Sequence, residues 1–402
     1  MPRHKETLES HAIRPSDDIT LGLMETLIPA KEVSQALVKH NRQSKRLRLL
    51  KNDFVVYLIV AAYLYMGVSQ SEVLRLLLER LVLLFATPVK IADKGAICKA
   101  RQRVGYEPLE DVFRAVARPL ATPATQGAFF KGHRLCAVDG STLDMADSQK
   151  NRQEFGKIML GDIETPYPQM RIAALCEIGT RVVFNACYGK ITDSELTLAQ
   201  RLLPSLTPEM LVIGDRLYGN FPFAFLVKQQ SANFVLRVRS TMTLPVYRVL
   251  SDGSALVKWR YKKDSRCKNN AVADKSEMTV RLIHYHLINE EGTVTVVRLV
   301  TSLLDNRRYP AKAIVSLYIE RWNIETAFDE IKSRLKGSRN LLRSGLPTLV
   351  VQDFFGLLLA HFIVRHTMFE AAMKNDVDPR KLSFSHARNT LKRRFIPLAI
   401  SP

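Results

Sequence analysis

LCAVD, residues 135–139, is the stretch that decides the architecture. Four apolar residues in a row fit a strand buried on both faces, and an acid closes it. The same form returns in LVIGD at 211–215. Between them, 169–178 and 181–187 are β-rich runs joined by a short turn containing Gly179, a hairpin signal. Residues 194–203 form an amphipathic helical pattern, 222–229 a helix and 233–238 a strand. The order from residue 133 is therefore β-β-β-α-β-α-β, an α/β arrangement. Groups just past the ends of buried strands face an open edge where a site can form. Residues 246–261, 278–288 and 293–303 then alternate as strands, which predicts an inserted β subdomain over 240–310. Residues 310–336 read as one long helix. Residues 347–373 read as another, with Pro347 suited to a first helical position.

Upstream of the strands the pattern is helical. Residues 33–38, 54–66 and 71–85 are apolar at helical spacing. In KGAICKARQRV, 94–104, Ala96, Ile97, Ala100 and Val104 share one face, and Lys94, Lys99, Arg101 and Arg103 project elsewhere. A short basic helix after a turn is what a DNA-reading helix-turn-helix needs. Any surface helix of a basic protein has the same look. PLATPAT, 119–125, reads as a linker. The expected division is a helical domain over 1–125, suited to reading DNA, and an α/β core over 126–239 and 311–345. The β insertion over 240–310 and a helical C-terminal region over 346–402 complete it.

The chain has 402 residues, 47% hydrophobic and 24% charged, a globular composition. Lys+Arg is 59 and Asp+Glu is 39, so 59 − 39 gives a net charge of +20. A surplus that large calls for a polyanion: nucleic acid first, an anionic membrane surface second. Two runs concentrate it. Residues 39–51 hold six Lys/Arg and no acid, and 256–268 hold six and one acid, Asp264. Five cysteines, with no C-x2-C pair, argue against a disulfide framework or a structural zinc and fit a reducing compartment. The first 16 residues lack the apolar core of a signal peptide. The apolar run 54–66 falls short of the roughly 20 residues of a membrane helix, so a buried helix is expected.

The helix after residue 310 carries Tyr318, Arg321, Glu325 and Lys332, in the spacing Tyr-x2-Arg-x3-Glu-x6-Lys. At about 100° per residue all four share an arc of about 60°. Arg321 and Glu325 alone would be an ordinary i,i+4 ion pair. That pair leaves Tyr318 and Lys332 on the same arc unexplained. Asp139 and Asp215 close apolar strands, and Glu325 projects from a helix placed to cross the sheet. Three carboxylates gathered at one edge repel one another unless cations neutralise them. Paired Mg²⁺ ions at such a centre activate a water or a 3′-hydroxyl for phosphodiester chemistry.

These residues resemble a known family. The chain looks like a DDE transposase of the bacterial insertion-sequence-four group, whose hallmark is that four-residue signature. AVDGSTLDMADSQKNRQEFG (137–156) resembles the stretch around the family's first Asp, and VIGDRLYGN (212–220) the second. YIERWNIETAFDEIK (318–332) and LLRSGLPTLVVQDFFGLLLAHFIVR (341–365) resemble its helical end, and ARQRVG (100–105) a piece of its N-terminal domain. The resemblance implies a ribonuclease-H-like core with a β insertion before the Glu. It implies Asp139, Asp215 and Glu325 as catalytic metal ligands for Mg²⁺, for which Mn²⁺ substitutes. It implies nicking at the element's ends, attack by the freed 3′-hydroxyl to form a hairpin, hairpin opening, and strand transfer into target DNA. Tyr318, Arg321 and Lys332 would hold DNA at the cut, with Arg216 beside the second Asp. A Trp in the insertion of relatives stacks on a flipped base, and the insertion's only Trp here is Trp259, between Lys258, Arg260, Lys262 and Lys263. Trp322, inside the signature, is expected to pack. From the N-terminal domain, Lys99, Arg101 and Arg103 would face DNA. The implied partners are terminal inverted repeats and target DNA, bound by a homodimer in a bacterial cytoplasm, at the nucleoid, with no membrane. Relatives continue beyond the equivalent of Pro402, so a truncated or compact copy is expected. Two other classes stay open on residues alone: a stand-alone two-metal DNA nuclease, and a non-catalytic DNA-binding protein derived from a transposase.

Overall fold

The computed structural model describes residues 23–45, 50–65, 67–85, 92–261, 276–288, 294–336 and 341–395. The N-terminal helices are α1 Leu23–Leu27, α2 Ala30–Lys39, α3 Asn52–Leu64, α4 Gln70–Phe85, α5 Lys94–Val104 and α6 Glu107–Val116. Helix α3 is apolar all round and buried almost throughout, which a core helix requires. Helix α6 buries Leu109, Val112, Phe113 and Val116, the i, i+3, i+4, i+7 stripe of a one-sided helix. The Asp93 side chain caps α5 by accepting from Ala96 N at 2.7 Å. Gly105, at φ 74°, ends it in a left-handed conformation that suits glycine.

The strands are β1 Phe129–Phe130, β2 His133–Met145, β3 Met159–Leu160, β4 Ile163–Glu164, β5 Gln169–Glu177, β6 Val182–Lys190, β7 Met210–Gly214, β8 Asn233–Val238, β9 Val246–Val249, β10 Ala255–Arg260, β11 Glu277–Ile288, β12 Val294–Thr301 and β13 Leu341–Leu342. Eleven of them form one sheet in the order β6-β5-β2-β7-β8-β12-β11-β10-β9, with β1 and β13 also pairing to β2. β2 runs antiparallel to β5 and parallel to β7, and β7 runs parallel to β8. Three antiparallel strands followed by two parallel ones, joined through helices, is the ribonuclease-H-like layout. The helices are α7 Gln149–Phe155, α8 Glu195–Gln200, α9 Phe221–Gln229, α10 Ala311–Ile319, α11 Trp322–Asp329, α12 Pro347–Lys374 and α13 Phe384–Phe395.

Several details differ from the sequence reading. LCAVD is the middle of a 13-residue strand, so Asp139 lies inside β2 and pairs with Ala174. Its strand ladder with β7, however, stops at Ala137, opposite Ile213. The expected strand 246–261 is two strands around a turn at 250–254. The strands between 240 and 310 do not stand apart: β12 pairs with β8, so they continue the core sheet. The proposed linker is packed down, since buried Glu177 accepts from Leu120 N and Ala121 N at 2.9 Å. The single long helix is three pieces. Glu320, Arg321, Asn323 and Ile324 bond to carbonyls three residues back, a tight break, and Glu330–Leu335 is a π-helical turn.

Helix α12 is the central post. It is 28 residues long, strongly apolar and buried inside the fold along most of its length. Protein covers it: Phe355 meets Phe113 of α6 at 6.0 Å between ring centroids, and Gly356 meets α3. A Cβ on Gly356 would stand 2.6 Å from Ile59 Cγ2, so glycine sets the close approach of α12 to α3.

Candidate functional site

β7 stays in register with β2 as far as Ile213, opposite Ala137, and two more residues along each chain bring Asp139 level with Asp215. Adjacent strands lie about 4.8 Å apart, which fixes the scale of that neighbourhood. Beyond Ala137, β2 regains a partner on this side only at Asp144, which pairs with Leu341. The gap between leaves room for a helix to approach, and α11 does so.

Glu325, on α11, and Asp139, on β2, meet through one guanidinium. Arg321 Nη2 donates to Glu325 Oε1 at 2.6 Å, and Arg321 Nη1 donates to Asp139 Oδ2 at 3.4 Å. Lys332 Nζ donates to Ser141 Oγ at 3.1 Å. Ser141 is two residues beyond Asp139 on the same face of the strand. Tyr318 is buried within electrostatic reach of Arg321, Arg237 and Asp215. The four signature residues thus gather at the acids, although the straight helix that placed them on one arc does not exist. The break at Glu320–Arg321 and the π turn re-aim them.

The Asp139 carboxyl is pushed up to about 7, chiefly by burial, against the pull of the Gly140 N–H and Arg321. Asp215 and Glu195 push it in the same direction. Tyr318 is raised by burial, and Arg321 and Arg237 oppose that. Among the described residues no three acidic, histidine or cysteine side chains are already arranged around one metal position. The guanidinium of Arg321 lies between Asp139 and Glu325.

The other expected contacts divide. Lys99 and Arg216 are exposed. Arg260 and Lys258 reach the surface of β10, where both pair with Glu277, at 2.6 and 3.1 Å. Arg103 is half-buried and donates to Leu50 O at 3.1 Å. Lys262 and Lys263 lie outside the described residues.

Three expectations are corrected. Trp259 is 4% exposed and packs edge-on to Phe221 at 5.6 Å, because alternation along β10 turns Ala255, Val257 and Trp259 inward. A base has no access to it. Trp322, expected to pack, is 64% exposed, with the Arg321 guanidinium 5.9 Å from its ring centre. Arg101, expected to face DNA, is buried in the α5–α12 contact. It pairs with Asp353 at 2.6 Å and donates to Gln352 at 2.8 Å. The helix reading failed there because Arg101 follows Ala100 on the covered face while Ala96 is exposed. Arg101→Met is therefore expected to cost about 3–5 kcal/mol in denaturant unfolding by stranding Asp353, whereas Lys99→Met should stay within about 0.5 kcal/mol. Equal stabilities for the two variants would contradict the buried pair.

The sequence reading missed Glu195, Tyr218 and Arg237. Glu195 Oε1 accepts from the Tyr218 hydroxyl at 3.0 Å. Arg237 follows Leu236, the β8 partner of Gly214, and so stands level with Asp215.

The chain also resembles known proteins. Residues 18–114 match the family model described as insertion element 4 transposase N-terminal, and 130–363 match the transposase DDE domain. The chain is 28% identical over 369 residues to the transposase InsG for insertion sequence element IS4 of Escherichia coli (strain K12), covering 91% of this chain and 81% of that protein. It is 24% identical over 209 residues to the putative transposase InsZ of the same organism, covering 51% and 67%. A solved piggyBac transposase synaptic complex with hairpin DNA aligns over 93% of this chain and 79% of that one, at 11% identity and a TM-score of 0.45, a likeness too slight to bear on either fold or function. The two matched models account for the helical N-terminal part and the sheet that carries the acids, and the chain belongs to the insertion-element-4 family of DDE transposases.

Proposed function

We propose that this DNA transposase works through Asp139, Asp215 and Glu325 with Mg²⁺, and moves its element by excision and reinsertion through a hairpin at the element's end. The observation that carries the reading is the Asp139–Arg321–Glu325 bridge beside Asp215: one positive charge already draws the strand acid and the helix acid together. DDE transposases as a family require a divalent metal. The donors fit one, because carboxylate oxygens suit hard cations, Mg²⁺ first and Mn²⁺ in its place. Asp139, Asp215 and Glu325 would hold it. When bound, such a metal polarises a phosphoryl oxygen and makes a water or 3′-hydroxyl a better nucleophile.

The rest falls to the chain's own residues. Arg321 presents a planar fork suited to a phosphate, and Lys332 a point charge beside it. Tyr318 lines the floor of the centre. Exposed Trp322 offers a flat ring for an unstacked base in the role expected of Trp259. Lys99, Arg216, Lys258 and Arg260 carry the flanking duplex, with Arg103 beneath the N-terminal contact. The net charge of +20 makes that binding strongly salt-dependent. Two chains holding two ends would act as a homodimer at the bacterial nucleoid.

The test is cleavage of linear duplexes with and without the inverted repeats that flank the gene, in Mg²⁺. A nick at the repeat boundary followed by a hairpin, running on a denaturing gel as one strand of doubled length, is the expected product. Equal cutting of duplexes that lack the repeats would assign the chain to general nuclease activity instead.

A further inference from the structure

We infer that Glu195 is a fourth carboxylate of the catalytic centre, adding its negative charge to the hold on the divalent metal. This rests on the reading of Asp139 and Asp215 above. Glu195 opens α8, the helix that follows the three antiparallel strands, and its side chain is 20% exposed. Its carboxyl group packs against Gly140, the residue after Asp139. A Cβ on Gly140 would overlap the Glu195 carboxyl carbon and Oε2, so the missing side chain is the space that admits this acid to the strand. From the other side, Glu195 Oε1 accepts from Tyr218, three residues past Asp215, at 3.0 Å. Oε2 lies 3.7 Å from Arg171 of β5. Glu195 is thus held between the segments that carry two of the three catalytic acids.

The chemistry of that placement decides its role. A tyrosine hydroxyl needs only one acceptor, which a glutamine oxygen would supply equally well. An ionised carboxylate beside Asp139 and Asp215 adds repulsion that a neutral amide would avoid. Arg171 stands at the outer limit of an ion pair and relieves little of it. A divalent cation shared with Asp139 and Asp215 turns the same charge from a cost into affinity.

Mn²⁺ titration of the full chain without DNA, followed by electron paramagnetic resonance, reads this without turnover. Glu195→Gln keeps the Tyr218 bond and loses the charge, so it is expected to weaken Mn²⁺ binding about 10–100-fold. Tyr218→Phe loses the bond and keeps the charge, and its shift is expected to be smaller. A Glu195→Gln shift under threefold, or a Tyr218→Phe shift as large, overturns the proposal. Glu195→Asp and Glu195→Ala form a second pair in case Glu195→Gln fails to fold. The aspartate is expected to bind at least threefold more tightly, and equal affinities again overturn it. Asp139→Asn in the same titration keeps the two readings apart: unchanged Mn²⁺ affinity there refutes the Asp139 assignment, while Glu195 is still judged by its own variants.

Discussion

Asp139→Asn, Asp215→Asn and Glu325→Gln are each expected to slow cleavage at the element's end by about 10³-fold or more, with DNA affinity held within about threefold. The separation follows from where charge sits. On the proposed assignment the acids face a centre whose substrate is itself anionic, so they should contribute nothing to duplex affinity, and neutralising one makes the local field slightly more positive. Affinity comes from exposed cations, and its signature is a steep fall with salt that the three variants should retain. Initial rates on a repeat-bearing duplex, with anisotropy binding at matched salt, measure both. A variant that keeps cleavage within tenfold removes that residue from the assignment. Arg321→Ala should behave differently, because its fork bridges Asp139 and Glu325 and, on the proposed reading, also holds phosphate: cleavage and end binding are expected to fall together.

Asp139 adds a pH dependence with a definite sign. Its folded carboxyl sits at about 7, above the ordinary 3.8. The unfolded chain gives up that proton first, so Asp139 favours the fold fully at low pH and loses the contribution as pH rises through 7. Without divalent metal, Asp139→Asn, which never ionises, is expected to be the more stable chain above pH 7, by on the order of 2–4 kcal/mol. Below pH 4 the two should converge. Metal is expected to restore the order, since on the proposed assignment only the carboxylate would bind it. Melting curves at pH 4 and 8, with and without Mn²⁺, check all three statements.

What could be read from the sequence divides along physical lines. LCAVD and LVIGD announce buried strands because a strand covered on both faces must be apolar throughout, and both acids were legible as the first residues to break that rule. The length of β2 was not legible. Past Asp139 only Leu143 and Met145 are buried, a thin alternation over GSTLDM. Sequence spacing grouped Arg321, Glu325 and Lys332, which the fold does bring to β2, though for an imperfect reason. Nothing in ERWN marks a helix break, and a π turn depends on what packs against it. Glu195, Arg101 and Trp322 lay beyond reach for one cause: a polar or aromatic side chain announces its type, and only its neighbours decide whether it is buried. Gly140 was the one local trace of Glu195, and a lone glycine after an acid has many uses.

Glu330→Gln is expected to destabilise the fold by about 3–5 kcal/mol, the largest stability loss of any change near the site. Glu330 is 4% exposed in the π turn and pairs with Arg365 of α12, whose Nε donates at 2.8 Å, while His361 Nε2 lies 3.1 Å from the same carboxyl. Burial alone would raise the carboxyl. Arg365 and His361 outweigh it and hold Glu330 below its ordinary range. Burial pushes His361 down, against the pull of Glu330. The Arg365 charge is fully buried and has Glu330 as its acid, so a glutamine leaves it uncompensated where water cannot help. The effect reaches function because Lys332 lies two residues on, in the same π turn. Releasing Glu330 from α12 lets that turn relax toward ordinary helix, which rotates Lys332 away from Ser141 and the acids. Glu330→Gln should therefore lose cleavage even at temperatures where it remains folded. Arg365→Met with Glu330→Gln, which removes both charges, should recover most of the stability but not the rate. Stability unchanged in Glu330→Gln, or recovered rate in the double variant, would show that the buried pair is not what sets Lys332 in place.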